Sequence, residues 1–214
     1  MSKKVLGMGN ALTDVLYQVS ESDLRALNLP KGSMSLITME QAQEIQERFA
    51  GVRMRMVAGG SACNTITTIA SLGGKAAFIG KIGNMRVGDF YREDLSRIGV
   101  APLMLKSADK MSGCSIVLIT PDGERTFATY LGAAADLKPE DIGVEMIFTS
   151  SDAKGNLHIQ EKCEFVLESF EGETARYCAS ILPERTGMYQ VATRIYPKNP
   201  LLPHRQDCPY VKWL

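Results

Sequence analysis

The sequence predicts an α/β fold in its first part and an antiparallel β segment in the rest. Up to about Ile142, short apolar runs alternate with stretches of helical periodicity, which is typical of a parallel sheet flanked by helices. After Ile142, short runs with polar and apolar alternation follow one another between turns. Of the 19 glycines, 16 lie at or before Gly143. We therefore expect two parts, residues 1–142 and 143–214.

The elements of the first part are bounded by glycines and turn residues. Predicted helices, each with an apolar face, are Met39–Phe49, Ser61–Leu72 and Gly88–Ile98. Predicted strands are Lys4–Gly9 and Lys75–Ile82, with a hairpin of Ser115–Ile119 and Thr126–Tyr130 around the turn Pro121-Asp122-Gly123. Asp14 follows the sharp turn that Gly9 predicts.

The second part shows no strong amphipathic helix. Its predicted strands are Val144–Thr149, Leu157–Gln160, Phe165–Glu168, Thr174–Ile181 and Tyr189–Tyr196. Turn residues such as those at 152–156 separate them, which favours antiparallel pairing.

Charge and composition exclude several classes of protein. Lys plus Arg and Asp plus Glu both number 24, and the balance holds in each part, so we expect neither nucleic-acid nor membrane partners. No apolar run approaches the roughly 20 residues of a spanning helix, and we expect a cytoplasmic protein. The five scattered cysteines contain no CxxC pair, which favours free or buried thiols over disulfides or zinc ligands.

The most informative motif is Ala58-Gly59-Gly60-Ser61-Ala62-Cys63-Asn64. Two glycines before a helix allow the backbone to approach a ligand, and the amide of Asn64 offers a donor and an acceptor. This combination suits a polyhydroxylated ligand. The alternative is a Gly-Gly turn with Ser61 as the N-cap of a helix.

Further motifs follow in a fixed order: Asp14 after the first strand, GKIGNMRVGDFYREDL from Gly80 and ERTFATYLGAAADL from Glu124. With the diglycine motif, they make residues 4–142 resemble the PfkB (ribokinase-like) family of ATP-dependent sugar and nucleoside kinases, nearest the adenosine-kinase-like branch. Ile66 departs from the family signature, which prefers a small residue there.

The resemblance implies specific roles. Asp14 is expected to hydrogen-bond substrate hydroxyls, with Gly59, Gly60 and Asn64 forming the wall beside the sugar, although Asp14 could instead form an Asx-turn. Segments expected to form the family's β lid over this site are Val15–Val19, Ser33–Ile37 and the hairpin Ser115–Tyr130. The implied partner is a small nucleoside or sugar, and the implied cofactors are ATP and Mg²⁺.

The catalytic motif of the family does not occur in this sequence. The family's base is an Asp in a Gly-Ala-Gly-Asp motif, and the string Gly132-Ala133-Ala134-Ala135-Asp136 is better matched to the return from the lid. We therefore expect no catalytic role for Asp136. A Walker A loop is also missing, because Gly74-Lys75 is followed by Ala76 rather than Ser or Thr.

The last 72 residues resemble a different family. The string PKNPLLPHRQD from Pro197, with GNLHIQ from Gly155, is similar to the C-terminal end of bacterial α-glucan (glycogen/starch) phosphorylases. That end carries no cofactor lysine, so pyridoxal phosphate is not expected. Neither His158 nor His204 has neighbours that predict a triad or a metal site. Tyr210 and Trp213 are expected to anchor the chain end in a core.

Three functions stay open from the sequence. The chain is a phosphotransferase acting on a primary hydroxyl, a ligand-binding module without transfer, or a nonfunctional fusion joined within Leu137–Ile142. Half of a doubly wound sheet would leave an unpaired strand, so self-association through that sheet edge is also expected.

Overall fold

The computed structural model describes residues 4–83, 86–152, 154–172, 174–182 and 189–198. The chain forms two compact units, Met1–Leu137 and Lys138–Leu214. The strands are β1 (Lys4–Met8), β2 (Leu12–Gln18), β3 (Met34–Leu36), β4 (Met54–Gly59), β5 (Lys75–Ile82), β6 (Val100–Lys106), β7 (Gly113–Ile119), β8 (Arg125–Tyr130), β9 (Ile142–Ser151), β10 (Leu157–Glu164), β11 (Val166–Glu171), β12 (Thr174–Cys178) and β13 (Gln190–Pro197). The helices are α1 (Glu21–Ala26), α2 (Met39–Arg48), α3 (Ser61–Ser71) and α4 (Arg86–Ile98), with 3₁₀ turns at Gly132–Asp136 and Pro139–Asp141.

The first unit contains two sheets. One is parallel, with the order β1-β5-β6, and helices α3 and α4 cover it with a core that includes Phe78, Ile82 and Leu95. The other has the order β3-β8-β7-β2-β4 and mixes parallel and antiparallel pairs. Alternate residues of β2 pack against Leu24 of α1 and Ile45 of α2. The alternating fold class that the sequence predicted is confirmed.

The five-stranded sheet brings together the segments expected to form a lid. Residues 15–18 lie in β2, residues 34–36 form β3, and the predicted hairpin is the antiparallel pair β7 and β8. The sheet also includes β4, which the sequence did not predict because Met54, Arg55 and their neighbours are mostly exposed and show no clear apolar alternation. The other unpredicted elements of this unit are α1 and β6.

The second unit is rich in strands. Its central strand β9 pairs antiparallel with β10 and β13, while β11 and β12 form a separate hairpin. Glu145 of β9 and Arg194 of β13 are opposite each other in register and form a buried ion pair. The predicted antiparallel character is confirmed, although β10 extends to Glu164 and β12 ends at Cys178, three residues earlier than predicted.

Two further expectations concern cysteines and membranes. Cys63 and Cys114 are buried free thiols, and Cys163 and Cys178 are also free. In the ranges that the structure describes, no helix is long and apolar enough to cross a membrane. The predictions for His204, Tyr210, Trp213 and most of the PKNPLLPHRQD string lie outside the described residues.

Candidate functional site

Asp14 and the diglycine motif meet although 45 positions separate them in the sequence. Strands β2 and β4 pair antiparallel, with Asp14 opposite Val57 and Leu12 opposite Gly59. Asp14 is in the middle of β2, whose odd-numbered side chains Thr13, Val15 and Tyr17 are buried on the opposite face. Because Asp14 has extended backbone and is paired on both sides, the Asx-turn alternative does not describe it.

Gly59 provides the surface on which the Asp14 carboxylate lies. A Cβ atom on Gly59 would be 2.5 Å from Cγ and from both carboxylate oxygens of Asp14. Real side chains do not tolerate such a contact, so only glycine allows the carboxylate to occupy this place. The sequence placed these residues in one site from a family resemblance, and the structure shows them in direct contact.

Gly60 is the N-cap residue of α3 and has a φ of 97°, a conformation that favours glycine. A Cβ here would be 2.5 Å from the backbone oxygen of Asn10. The alternative that made Ser61 the N-cap is therefore wrong, since Ser61 is the first residue of the helix. No side chain caps this helix end, so its first N–H groups stay available to an acceptor.

Asn64 is one helical turn beyond Gly60, and its backbone N–H donates to the Gly60 carbonyl at 2.8 Å. Residues four apart share a helix face, so Asn64 and Gly60 lie on the same side of α3. The Asn64 side chain is exposed. Among the described residues, no hydrogen bond joins it to Asp14. The structure thus places Asp14 against Gly59, next to Gly60, while Asn64 is exposed one helical turn away.

The environment of Asp14 makes its carboxylate easier to protonate. Burial raises the pKa of Asp14 from 3.8 to about 6, and the positive charge of Arg125 on β8 opposes part of that increase. A partly desolvated carboxylate without a hydrogen-bonding partner from the described residues is poised to accept hydrogen bonds from a ligand.

Two residues of α4 support this site, and the sequence analysis missed both. The buried Tyr91 hydroxyl donates to the Gly59 carbonyl at 3.1 Å, and the Ala58 N–H donates to Oδ2 of Asp94 at 2.8 Å. The available signal was Asp94 itself, an acidic residue on the same helix face as Tyr91 and Leu95. A charged side chain on a buried face needs a partner.

A cavity of about 320 Å³ adjoins the same face of the five-stranded sheet. Leu36 and Thr129 line it, and the strand register connects them to Asp14 through Ser115. With neighbouring strands about 4.8 Å apart, Leu36 is roughly 14 Å from Asp14 across the sheet. The cavity could therefore accept the far end of a ligand that Asp14 holds.

Asp136 differs from Asp14 in its surroundings, because its carboxylate has a charged partner. Its carboxylate pairs with the Lys110 ammonium at 2.7 Å, and Lys81 donates to its carbonyl at 3.2 Å. Ala133 and Ala134 of the same 3₁₀ turn are fully buried. The backbone N–H groups of Ala133 and Ala134 already donate to the carbonyls of Met111 and Leu131, so they are not available to a nucleotide phosphate.

A metal site is not apparent in the part of the chain that the structure describes: no group of three or more His, Cys, Asp or Glu side chains is placed to hold an ion. His158 instead contacts the Asp152 carboxylate at 3.0 Å in a surface turn.

Comparison with known proteins identifies relatives of the first unit's fold. Residues 30–184 match the pfkB family of carbohydrate kinases. Aminoimidazole riboside kinase of Salmonella typhimurium is 40% identical over 88 residues, which are 39% of this chain and 27% of that protein. Fructokinase of Klebsiella pneumoniae is 34% identical over 94 residues, or 42% of this chain and 30% of that protein.

The structural comparison agrees. Adenosine kinase from Sinorhizobium meliloti superposes with a TM-score of 0.58 at 34% identity, over 65% of this chain and 42% of that one. Adenosine kinase from Schistosoma mansoni in complex with adenosine gives a TM-score of 0.56 at 27% identity, over 63% and 40%. This chain thus spans less than a third of these curated relatives and about two fifths of these structures. It belongs to the pfkB family of carbohydrate kinases.

Proposed function

We propose that this chain provides the hydroxyl-binding part of an ATP-dependent kinase that phosphorylates a primary hydroxyl of a nucleoside or sugar. The observation that carries the proposal is the contact between the Asp14 carboxylate and Gly59 beside the uncapped start of α3. A carboxylate can accept from two vicinal hydroxyls, and such charge-assisted bonds are among the stronger ones.

The ionised form of Asp14 is the binding form in this proposal. With a pKa of about 6, most of the carboxylate is ionised at pH 7.5 and most is protonated at pH 5. Hydroxyl donors bind the ionised form more strongly than the protonated form, so ligand binding should lower the pKa of Asp14.

The nucleoside alternative is supported by the cavity near Leu36. Its lining includes Leu36, Ile37 and Leu131, and its volume of about 320 Å³ exceeds the needs of a single sugar hydroxyl. The apolar side chains of this lining would be covered from water by a flat, largely apolar group attached to a ribose. Adenosine is therefore the first ligand to test, with ribose and fructose as smaller alternatives.

We propose that the chain by itself is catalytically incomplete. Its sequence contains no Gly-Ala-Gly-Asp motif, and Asp136, the one lookalike, is paired with Lys110. The alternative function, a binding module that performs no transfer, is supported by the same two observations together with the Asp14–Gly59 contact.

Titration calorimetry with adenosine, ribose and fructose, followed by an ATP-turnover assay on the same sample, tests both proposals. We expect saturable binding that Asp14→Ala abolishes and that the control Asp152→Ala, in an exposed turn of the second unit, leaves unchanged. Turnover that Asp136→Ala removes would contradict the incompleteness. A folded chain that binds none of the three ligands would contradict the hydroxyl-binding role.

We further propose that residues 1–142 are the kinase part and that residues 143–214, resembling a phosphorylase C-terminus, are a separate segment. The division between Leu137 and Lys138 supports this, while the family match continues to residue 184. Sequencing the source transcript across codons 137–142 tests it. An uninterrupted kinase frame beyond Ile142 would show that the fusion is an artefact, and the same junction in the transcript would support it. A molten or aggregated sample that binds no ligand would support the third alternative, a nonfunctional fusion.

Self-association through a sheet edge is also a proposal. Within the described ranges β1 pairs with β5 alone, so its other edge presents backbone donors and acceptors. Sedimentation velocity over a hundredfold range of concentration should show a rising mean mass. A constant monomer mass would contradict it.

A further inference from the structure

The end of β4 is held by polar side chains from α4. In the described part of the chain, β4 pairs only with β2, so alternate N–H groups of β4 face away from the sheet. The outward N–H of Ala58 is buried and donates to Oδ2 of Asp94 at 2.8 Å. Without that acceptor, a buried peptide group would lose its hydrogen bond, which is costly.

The next residue of β4, Gly59, is held from the same helix turn. The residue Tyr91 is 1% exposed, and its hydroxyl donates to the Gly59 carbonyl at 3.1 Å. The Tyr91 ring packs against Phe78 with a centroid distance of 6.2 Å. Because Tyr91 and Asp94 are three residues apart on one helix face, they hold two consecutive residues of β4 as a unit.

Asp94 has a second bond that fixes its own orientation. Its Oδ1 accepts from the Arg97 guanidinium at 2.8 Å, while Oδ2 is left for Ala58. The Arg97 side chain is 67% exposed and that of Asp94 is 10% exposed, so the carboxylate bridges solvent and core. Both oxygens of this carboxylate are therefore engaged, one by the backbone of β4 and the other by Arg97.

The consequence concerns the residue that follows. Gly59 lies in direct contact with the Asp14 carboxylate, so any displacement of Gly59 changes where that carboxylate lies and how well it is shielded from water. We infer that Tyr91 and Asp94 are positioning residues of the substrate site, which fix Ala58 and Gly59 against Asp14 without touching substrate. The ligand-binding part of this inference rests on the proposed function; the effect on Asp14 does not.

The charged and titratable groups around Asp14 support a readout based on its ionisation. Arg125 of β8 lowers the pKa of Asp14. Cys63 of α3 and Tyr91 of α4 also face it, and burial raises the pKa of both groups, so neither carries a charge at neutral pH. Burial is thus the main reason for the raised pKa of Asp14, and loosening Gly59 should reduce it.

The test measures the Asp14 titration directly. In the full chain, the carboxyl carbon of Asp14 is followed by ¹³C NMR from pH 3.5 to 8, with the resonance assigned by its loss in Asp14→Asn. We expect Tyr91→Phe and Asp94→Ala to move the midpoint from about 6 toward 3.8. Asp94→Asn, which keeps an acceptor for Ala58, should stay near the parent value.

Ligand affinity is the second readout. For the ligand among adenosine, ribose and fructose that the parent binds, Tyr91→Phe and Asp94→Ala should weaken binding roughly 3- to 10-fold, the usual effect of one lost hydrogen bond. Asp94→Asn should recover most of that loss. Ile45→Val, in the separate core under the five-stranded sheet, is the control for a general loss of stability and should change neither readout.

Each outcome decides the inference. A midpoint that moves in Tyr91→Phe and stays in Ile45→Val supports it, even when the parent binds none of the ligands and the proposed function fails. A midpoint that is the same in the parent, Tyr91→Phe and a folded Asp94→Ala overturns it. Should Asp94→Ala fail to fold, Tyr91→Phe decides alone, because it removes one hydroxyl and keeps the packed ring.

Discussion

Replacing Asp14 with asparagine should make the protein more stable while weakening binding at the proposed ligand site. Burial raises the pKa of Asp14 from 3.8 to about 6, so the ionised carboxylate is less favourable in the folded chain than in the unfolded one. That difference corresponds to at most about 3 kcal/mol above pH 7, and solvent screening of this partly exposed carboxylate reduces it. We expect Asp14→Asn to recover about 1–3 kcal/mol at pH 8, because the new amide also needs partners.

The pH dependence of this gain has a definite sign. The folded-state pKa is raised, so the unfavourable contribution is complete above about pH 6 and disappears as the pH falls toward 3.8. Urea unfolding followed by far-UV circular dichroism should therefore show the variant more stable than the parent at pH 8. At pH 4 the two should differ by less than about 1 kcal/mol.

Asp122 provides a control of opposite sign. The Lys31 ammonium donates to its carboxylate and lowers its pKa, so this ionised form is favoured by folding. Asp122→Asn should reduce stability at pH 8, and its effect should fade as the pH falls below the ordinary Asp value. If Asp14→Asn also reduced stability at pH 8, the ionised carboxylate would be stabilising the fold. Its assignment as a desolvated group that is available to a ligand would then be refuted.

Three other substitutions give distinct outcomes. Gly59→Ala places a methyl group 2.5 Å from the Asp14 carboxylate, so it should abolish ligand binding in calorimetry; unchanged affinity would contradict the contact. Arg125→Ala removes the charge that opposes burial, so the pKa of Asp14 should rise further above 6 in ¹³C NMR, and a fall would contradict that role. Arg194→Ala removes one member of the buried Glu145–Arg194 ion pair, so urea unfolding monitored for the second unit should show a loss of stability of up to about 3 kcal/mol, and a neutral effect would count against the pair.

Residues close in sequence were sufficient to predict the elements whose ends are set by neighbouring capping or turn residues. Helix α2 was predicted as Met39–Phe49 and ends at Arg48. Its start is set by Thr38, whose side chain accepts from the Gln41 N–H while Gln41 accepts from the Thr38 N–H. The hairpin of β7 and β8 was predicted for a similar reason, since its turn residues adjoin the strands that they connect.

Contacts between distant segments could not be predicted in the same way. Strand β4 has few buried side chains, and its place depends on pairing with β2 and on the Asp94 carboxylate 36 residues further along the chain. Family resemblance predicted that Asp14 and Gly59 share a site. The resemblance contained nothing on the polar contacts of Tyr91 and Asp94, because these depend on how α4 packs against β4.

The pH dependence of ligand affinity tests most directly whether the Asp14 carboxylate binds hydroxyl groups. Calorimetric titration of the full chain with adenosine, ribose and fructose should be made at pH 7.5 and at pH 5, with Asp14→Asn alongside. For a carboxylate with a pKa of about 6, the ligand that binds should lose roughly tenfold in affinity at pH 5, and Asp14→Asn should bind weakly at both values. Affinity that is equal at the two pH values, or that survives in Asp14→Asn, would contradict the claim.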